Sequence, residues 1–191
     1  RYPKAKVNLV KFADDFVIGC ELESDARRIM EVLPRRFGRY GLTIHPEKTK
    51  LVKFGKPPKK EQAGPKNETF DFLGFTHYWA KSRRGYWVIK RKTARKRQRR
   101  SIKALWQWCK ENRHLPLDEQ YRMLCLKLRG HYQYYGVRSN YRQLEEMYHQ
   151  AMEGWRYWLN RRDKQRKMIW DKFKEILTIF PLPKPRIVHA I

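Results

Sequence analysis

The constraint that most limits this chain lies near its start. Val7-Asn8-Leu9-Val10 and Phe16-Val17-Ile18-Gly19-Cys20 are short β-favouring runs, and between them Lys11-Phe12-Ala13-Asp14-Asp15 places two adjacent carboxylates at a turn. The pattern predicts strand, tight turn, strand, with buried apolar flanks holding the pair while its oxygens stay open to water or a ligand. Two like charges a few ångströms apart are costly unless they share a proton or a cation. Hard carboxylate oxygens suit Mg²⁺, with Mn²⁺ as the alternative. Taken alone, an Asp-Asp turn is also ordinary structure, because Asp tolerates turn dihedrals and bonds its own backbone.

Charge narrows the partner. The 191 residues carry 45 Lys and Arg against 19 Asp and Glu, a formal net charge of +26. A folded domain tolerates that self-repulsion best beside a polyanion, and nucleic acid is the foremost one. Seven Trp, eleven Tyr and nine Phe argue for packed domains rather than an extended basic arm of ribosomal type. Cys20, Cys109 and Cys125 are odd in number and sit in apolar patterns, so they read as buried thiols of a reducing compartment. No apolar run reaches membrane-spanning length and no signal-peptide core follows Arg1-Tyr2-Pro3, so no membrane partner is expected. The absence of a starting Met reads as a piece of something longer.

After the hairpin, Glu23-Ser24-Asp25 supplies capping residues for a helix marked by Ala26, Ile29, Met30, Leu33 and Phe37, with Pro34 predicting a kink or a second short piece. A turn through His45-Pro46-Glu47-Lys48-Thr49 leads to a strand-like Leu51-Val52-Lys53-Phe54-Gly55. Residues 55–68 are a Pro/Gly/Lys-rich flexible excursion. Residues 69–77 read as one strand with a bulge or close backbone approach at Gly74, paired with residues 85–90. Arg91, Lys92, Arg95, Lys96, Arg97, Arg99 and Arg100 then crowd ten residues that contain no acid and run into a helix through Ile102, Leu105, Trp106 and Cys109. Cations at a helix start oppose its dipole, so phosphate contacts explain them better than stability does; a solvated charged face is the bland alternative.

Three further helices follow. One begins near Leu115-Pro116-Leu117-Asp118, one spans from Ser139 or Asn140 to Leu159, and one runs from about Met168 to Phe180, closed by Pro181 and an extended Pro-rich tail. The fold class expected is α+β: residues 1–91 a hairpin, helix and strands, residues 92–191 an all-α bundle with its tail. The six histidines show no metal-ligand spacing.

Several segments carry a family resemblance. Phe12-Ala13-Asp14-Asp15 resembles the Tyr-Ala-Asp-Asp palm motif of reverse transcriptases, with Phe12 lacking only the hydroxyl. Gly41-Leu42-Thr43-Ile44-His45-Pro46-Glu47-Lys48-Thr49 is similar to the Gly-Leu-x-Leu-(His/Asn)-Pro-x-Lys-Thr segment of group II intron reverse transcriptases. Phe70-Asp71-Phe72-Leu73-Gly74-Phe75 resembles their primer-grip hairpin. Leu128-Arg129-Gly130-His131-Tyr132-Gln133-Tyr134-Tyr135 resembles the Leu-Arg-Gly-Trp-x-x-Tyr-Tyr signature of the maturase-specific thumb, domain X, and residues 157–162 and 183–189 look like that family's C-terminal part.

The resemblance implies the end of a palm plus a thumb, from an RNA-directed DNA polymerase that also acts as a splicing maturase. Asp14 and Asp15 would be the catalytic and metal-binding pair, Asp14 the direct ligand of both Mg²⁺ ions. Lys48 would stand near the dNTP triphosphate as an electrostatic stabiliser or proton donor, unless it is only a solvated turn lysine. Phe72, Leu73 and Gly74 would grip the primer's 3′ end, unless they form an ordinary aromatic hairpin. Arg91, Lys92, Arg95, Lys96, Arg97, Arg99, Arg100, Arg129, Arg161 and Arg162 would contact group II intron RNA and the RNA template–DNA primer duplex. The fingers and first palm half, with a further metal-binding Asp, would be a missing partner, so the chain alone should not polymerise. Its place would be a ribonucleoprotein in the bacterial cytoplasm or an organelle. The competing readings are a non-catalytic RNA-binding splicing factor or decayed remnant, and a retron or CRISPR-associated reverse transcriptase.

Overall fold

β-branched and aromatic residues flanking a two-residue turn make the first element a hairpin. β1 (Val7–Phe12) and β2 (Asp15–Cys20) are antiparallel, with Val7 opposite Cys20 and Phe12 opposite Asp15. Ala13 and Asp14 form the turn, Ala13 at φ 49°. The computed structural model, which describes residues 3–57, 68–162 and 169–189, is mixed α+β: two small antiparallel sheets followed by helices. The chain divides into two compact units, one of Arg1–Leu73 with His77–Ile89, the other of Gly74–Thr76 with Lys90–Ile191.

In the first unit α1 (Glu23–Gly38) packs on β2, with Phe37 stacked on Phe16 at 6.0 Å between ring centres. Glu23, Ser24 and Asp25 are not its caps. The helix opens at Leu22 without a side-chain cap, which puts Glu23 and Asp25 in the first turn, where negative charge suits the positive end of the helix dipole. Asp25 is 5% exposed and accepts hydrogen bonds from the backbone N–H groups of Lys4 (2.9 Å) and Ala5 (3.1 Å), fastening the segment before β1 to the helix. Pro34 lies inside α1 without dividing it. A proline withholds only its own N–H, and the rest of the helix continues to Gly38.

Two expectations about strands fail. Residues 51–55 join no sheet; side chains satisfy their backbone instead, with the Lys53 N–H donating to Glu68 (2.7 Å) and the Trp79 indole donating to the Phe54 carbonyl (3.3 Å). The Phe54 ring meets Phe70 edge-on at 4.8 Å, and Phe70 stacks on His77 at 4.8 Å. Residues 69–77 are not one bulged strand. Leu73 (φ 49°) and Gly74 (φ 77°) are both left-handed and form a tight turn between β3 (Phe70–Phe72) and β4 (Phe75–Lys81), as two-residue hairpin turns demand. β5 (Trp87–Thr93) completes the order β3-β4-β5. Residues 58–67, most of the expected Pro/Gly/Lys-rich excursion, lie outside the described residues.

The second unit is a helical bundle of α2 (Arg95–Glu111), α3 (Leu117–Tyr135), a 3₁₀ turn (Arg138–Asn140), α4 (Tyr141–Leu159) and α5 (Trp170–Ile179). Met168, the expected start of the last helix, lies outside the described residues. Leu105, Leu124, Leu128, Leu144, Trp155 and Phe173 anchor its core. One polar chain runs through that core: the Trp155 indole donates to the Gln120 side-chain oxygen (2.9 Å), and the Gln120 amide donates to the Leu115 carbonyl (2.7 Å). The extended tail straps the end of α3, with the Val188 and His189 N–H groups donating to the Gly136 carbonyl at 2.8 and 2.9 Å. Cys109 and Cys125 are buried free thiols and Cys20 is half-buried. Burial pushes the Cys109 thiol up to about 12, and burial followed by the Asp25 charge raises Cys20. Among the described residues no helix is long and apolar enough to cross a membrane.

Candidate catalytic turn and nucleic-acid interface

Register sets the carboxylate pair. Asp15 heads β2 opposite Phe12, Asp14 completes the turn, and both side chains are exposed. The expected buried flanks are present only on one strand. Leu9, Val10 and Phe12 of β1 are 63%, 57% and 64% exposed, whereas Phe16, Val17 and Ile18 of β2 are half-buried. The reason is that α1 packs on β2, while β1 is the outer strand of a two-stranded sheet. Among the described residues no three His, Cys, Asp or Glu side chains converge as a metal cage. Two adjacent hard donors on an exposed tip do fit Mg²⁺, which takes one or two carboxylates and fills its remaining positions with water and phosphate oxygens.

Lys48 sits on the expected turn. The His45 carbonyl accepts from the Lys48 N–H (3.2 Å), the Thr49 N–H (3.1 Å) and the Thr49 hydroxyl (3.0 Å), leaving the lysine side chain exposed. Among the described residues no ion pair joins it to Asp14 or Asp15. Phe72, Leu73 and Gly74 lie together at the β3–β4 turn, all half-buried. Turn, lysine and hairpin tip all fall within the first 77 residues.

Residues 1–77 match the reverse transcriptase (RNA-dependent DNA polymerase) family. The match supports a reverse-transcriptase-family protein. No curated protein matches the chain. The matched residues include Asp14, Asp15, Lys48, Phe72, Leu73 and Gly74 and end before α2, so the helical unit must be read from its own chemistry.

Beyond the matched residues, the basic run is split between two elements. Arg91 and Lys92 end β5, while Arg95, Lys96, Arg97, Arg99 and Arg100 form the first turns of α2, which carry no acid. All but Arg91 are exposed; the Arg91 N–H donates to the Ser139 hydroxyl (3.0 Å), which in turn donates to the Arg91 carbonyl (2.6 Å). Arg129 is exposed on α3. Arg161 lies 3.9 Å from the Tyr157 ring centre, and an Arg162 guanidinium N–H donates to the His114 carbonyl at 3.3 Å, so these two cations are already held by protein groups. Lys110 and Lys127, which nothing in the sequence marks, stand over Trp158 (5.8 Å) and Trp108 (5.3 Å). Isolated lysines in helices give no signal until the fold brings an aromatic ring beneath them.

Proposed function

We propose that this chain is the end of the palm and the thumb of a group II intron-type reverse transcriptase and maturase, which copies RNA into DNA and assists splicing of its intron RNA. The observation that carries the reading is the Asp14-Asp15 pair on a two-residue hairpin turn within the stretch that matches the reverse transcriptase family. The maturase assignment draws on the end of α3. Leu128 and Tyr132 are buried in the core there, while Arg129, Gly130 and Tyr134 remain on the surface, as a segment with one packing face and one binding face requires.

Asp14 and Asp15 would hold Mg²⁺, Asp14 as the shared ligand, with a further carboxylate supplied by the fingers-and-palm half of such an enzyme. When bound, the metal ions supply activation of the primer 3′ hydroxyl and charge stabilisation at the departing pyrophosphate. Lys48, free to swing from its turn, would meet the dNTP triphosphate. The basic start of α2 and Arg129 would hold the phosphates and 2′ hydroxyls of an A-form template–primer duplex, and intron RNA would use the same chemistry. Arg161 and Arg162 would join only by exchanging their protein partners for phosphate.

The test combines the 191-residue chain with a second chain carrying fingers and first palm half, and measures Mg²⁺-dependent primer extension on an RNA template. Extension lost in Asp14→Ala and in Asp15→Ala is the expected result. RNA binding at low salt without any extension, indifferent to both substitutions, would instead assign a non-catalytic splicing factor. Extension without any affinity for intron RNA would favour a retron or CRISPR-associated lineage.

A further inference from the structure

The hairpin tip proposed to grip the primer is divided: Phe72 and Leu73 group with the first unit, Gly74 with the helical one. Gly74–Thr76 belong to the helical unit. The reason is a seat built from the last turn of α3 and the junction of β5 with α2. Phe75, 9% exposed, stacks on Tyr134 with ring centres 6.0 Å apart and meets Tyr135 at 5.3 Å. The Gly74 carbonyl accepts from the Ala94 N–H at 2.9 Å. A Cβ on Gly74 would lie 3.0 Å from the Tyr135 hydroxyl oxygen, tight enough that the ring would have to give way by a few tenths of an ångström, at a residue already held at φ 77°.

Asn140 locks this seat. It is fully buried, its side-chain oxygen accepts from the Thr93 N–H (2.7 Å), and its amide donates to the Thr93 hydroxyl (2.8 Å) and the Tyr135 carbonyl (2.9 Å). One side chain therefore joins the end of β5 to the end of α3, next in sequence to Ala94 and at Tyr135 itself, the residues that meet Gly74. A buried amide with its hydrogen bonds made fixes geometry strongly, since breaking any of them strands a group away from water.

We propose that Tyr135 and Asn140 are positioning residues that hold Gly74 in place within the helical unit, so that the backbone of the turn meets the primer end in one fixed conformation. This rests on the grip role proposed above.

The experiment uses the 191-residue chain with an RNA template annealed to a DNA primer whose 3′-terminal residue is a photoactivatable thiothymidine, and maps the crosslink by mass spectrometry beside the duplex Kd. The unmodified chain should crosslink at Leu73 or Gly74. Gly74→Ala should lower that yield about tenfold, because Ala at positive φ is strained and its methyl meets the Tyr135 hydroxyl. Adding Tyr135→Phe to Gly74→Ala removes the oxygen that the methyl meets and should recover part of the yield. Asn140→Asp keeps the acceptor but loses the donors, and should scatter the crosslink along the hairpin at unchanged Kd. A merely structural role would lower yield and affinity together, or leave both alone, and either result overturns the proposal. Duplex bound without any crosslink at the turn in the unmodified chain overturns the grip reading itself, and this inference with it.

Discussion

Three cations at the start of α2 give one perturbation with two opposite expected signs. Arg95, Lys96 and Arg99 are exposed, and at 3.6 residues per turn they fall within about 100° of arc, so one duplex can reach all three. Arg95 and Lys96 also sit where the dipole of α2 is positive, in a first turn without any acid, and Arg99 follows just after it. Replacing all three with Gln should therefore weaken nucleic-acid binding while strengthening the fold.

The binding magnitude follows from counterion release. Each phosphate neutralised adds about 0.9 to the slope of log K against log salt, so the triple variant should flatten that slope by up to about 2.7. Between 50 and 200 mM salt, the native chain should then lose up to roughly 40-fold more affinity than the variant does. On the stability side, relieving the dipole clash should add about 0.3–1 kcal/mol, a rise in Tm of a few degrees. Fluorescence anisotropy of a labelled RNA–DNA hybrid at four salt concentrations, with thermal unfolding followed by circular dichroism, reads both quantities. An unchanged salt slope refutes the phosphate-contact argument even if affinity falls. A lowered Tm refutes the claim that these charges are carried at a cost to stability.

Two further outcomes concern the helical unit alone. Gln120→Leu keeps the volume of a side chain that is 1% exposed but strands the Trp155 indole N–H and the Leu115 carbonyl, so denaturant unfolding should report a loss of about 2–4 kcal/mol; in a Trp155→Phe background the same change should cost clearly less. His131, packed 4.8 Å from the Tyr135 ring, is held by burial at about 4, below its usual 6.5. The unfolded chain thus takes the proton first as pH falls. Stability is full above about pH 6.5 and drains away towards pH 4, by about 2 kcal/mol at pH 5, a loss that His131→Gln should largely abolish in urea titrations.

What the sequence made legible was local. The Asp14-Asp15 hairpin, the turn at Lys48 and the helix starts at Pro116 and Asn140 each follow from a turn former or breaker beside a periodic run, and each is in place. The exposure of Leu9, Val10 and Phe12 was not legible, because a β-favouring run carries no mark of whether a second layer covers it. The misread strand at residues 69–77 did leave a trace. Phe70 and Phe72 occupy even positions and Phe75, His77 and Trp79 odd ones, and a change of parity across Leu73-Gly74 is what a two-residue turn produces.

Asn140 shows the other kind of gap. As a residue before a helix it reads as an N-cap, yet the side chain makes no cap bond and turns to Thr93, 47 residues earlier. Nothing local distinguishes the two uses of an Asn, since both satisfy a stranded backbone group and only the fold decides which one is nearest. That choice has a functional consequence. Two motifs that look independent in the sequence, Gly74-Phe75 and Tyr134-Tyr135, become one packing unit, and Asn140 ties the end of α3 beside it to the end of β5. Gly74 is then required twice over, for its positive φ and for the room its hydrogen leaves under the Tyr135 hydroxyl, and a substitution there tests the turn and its seat together.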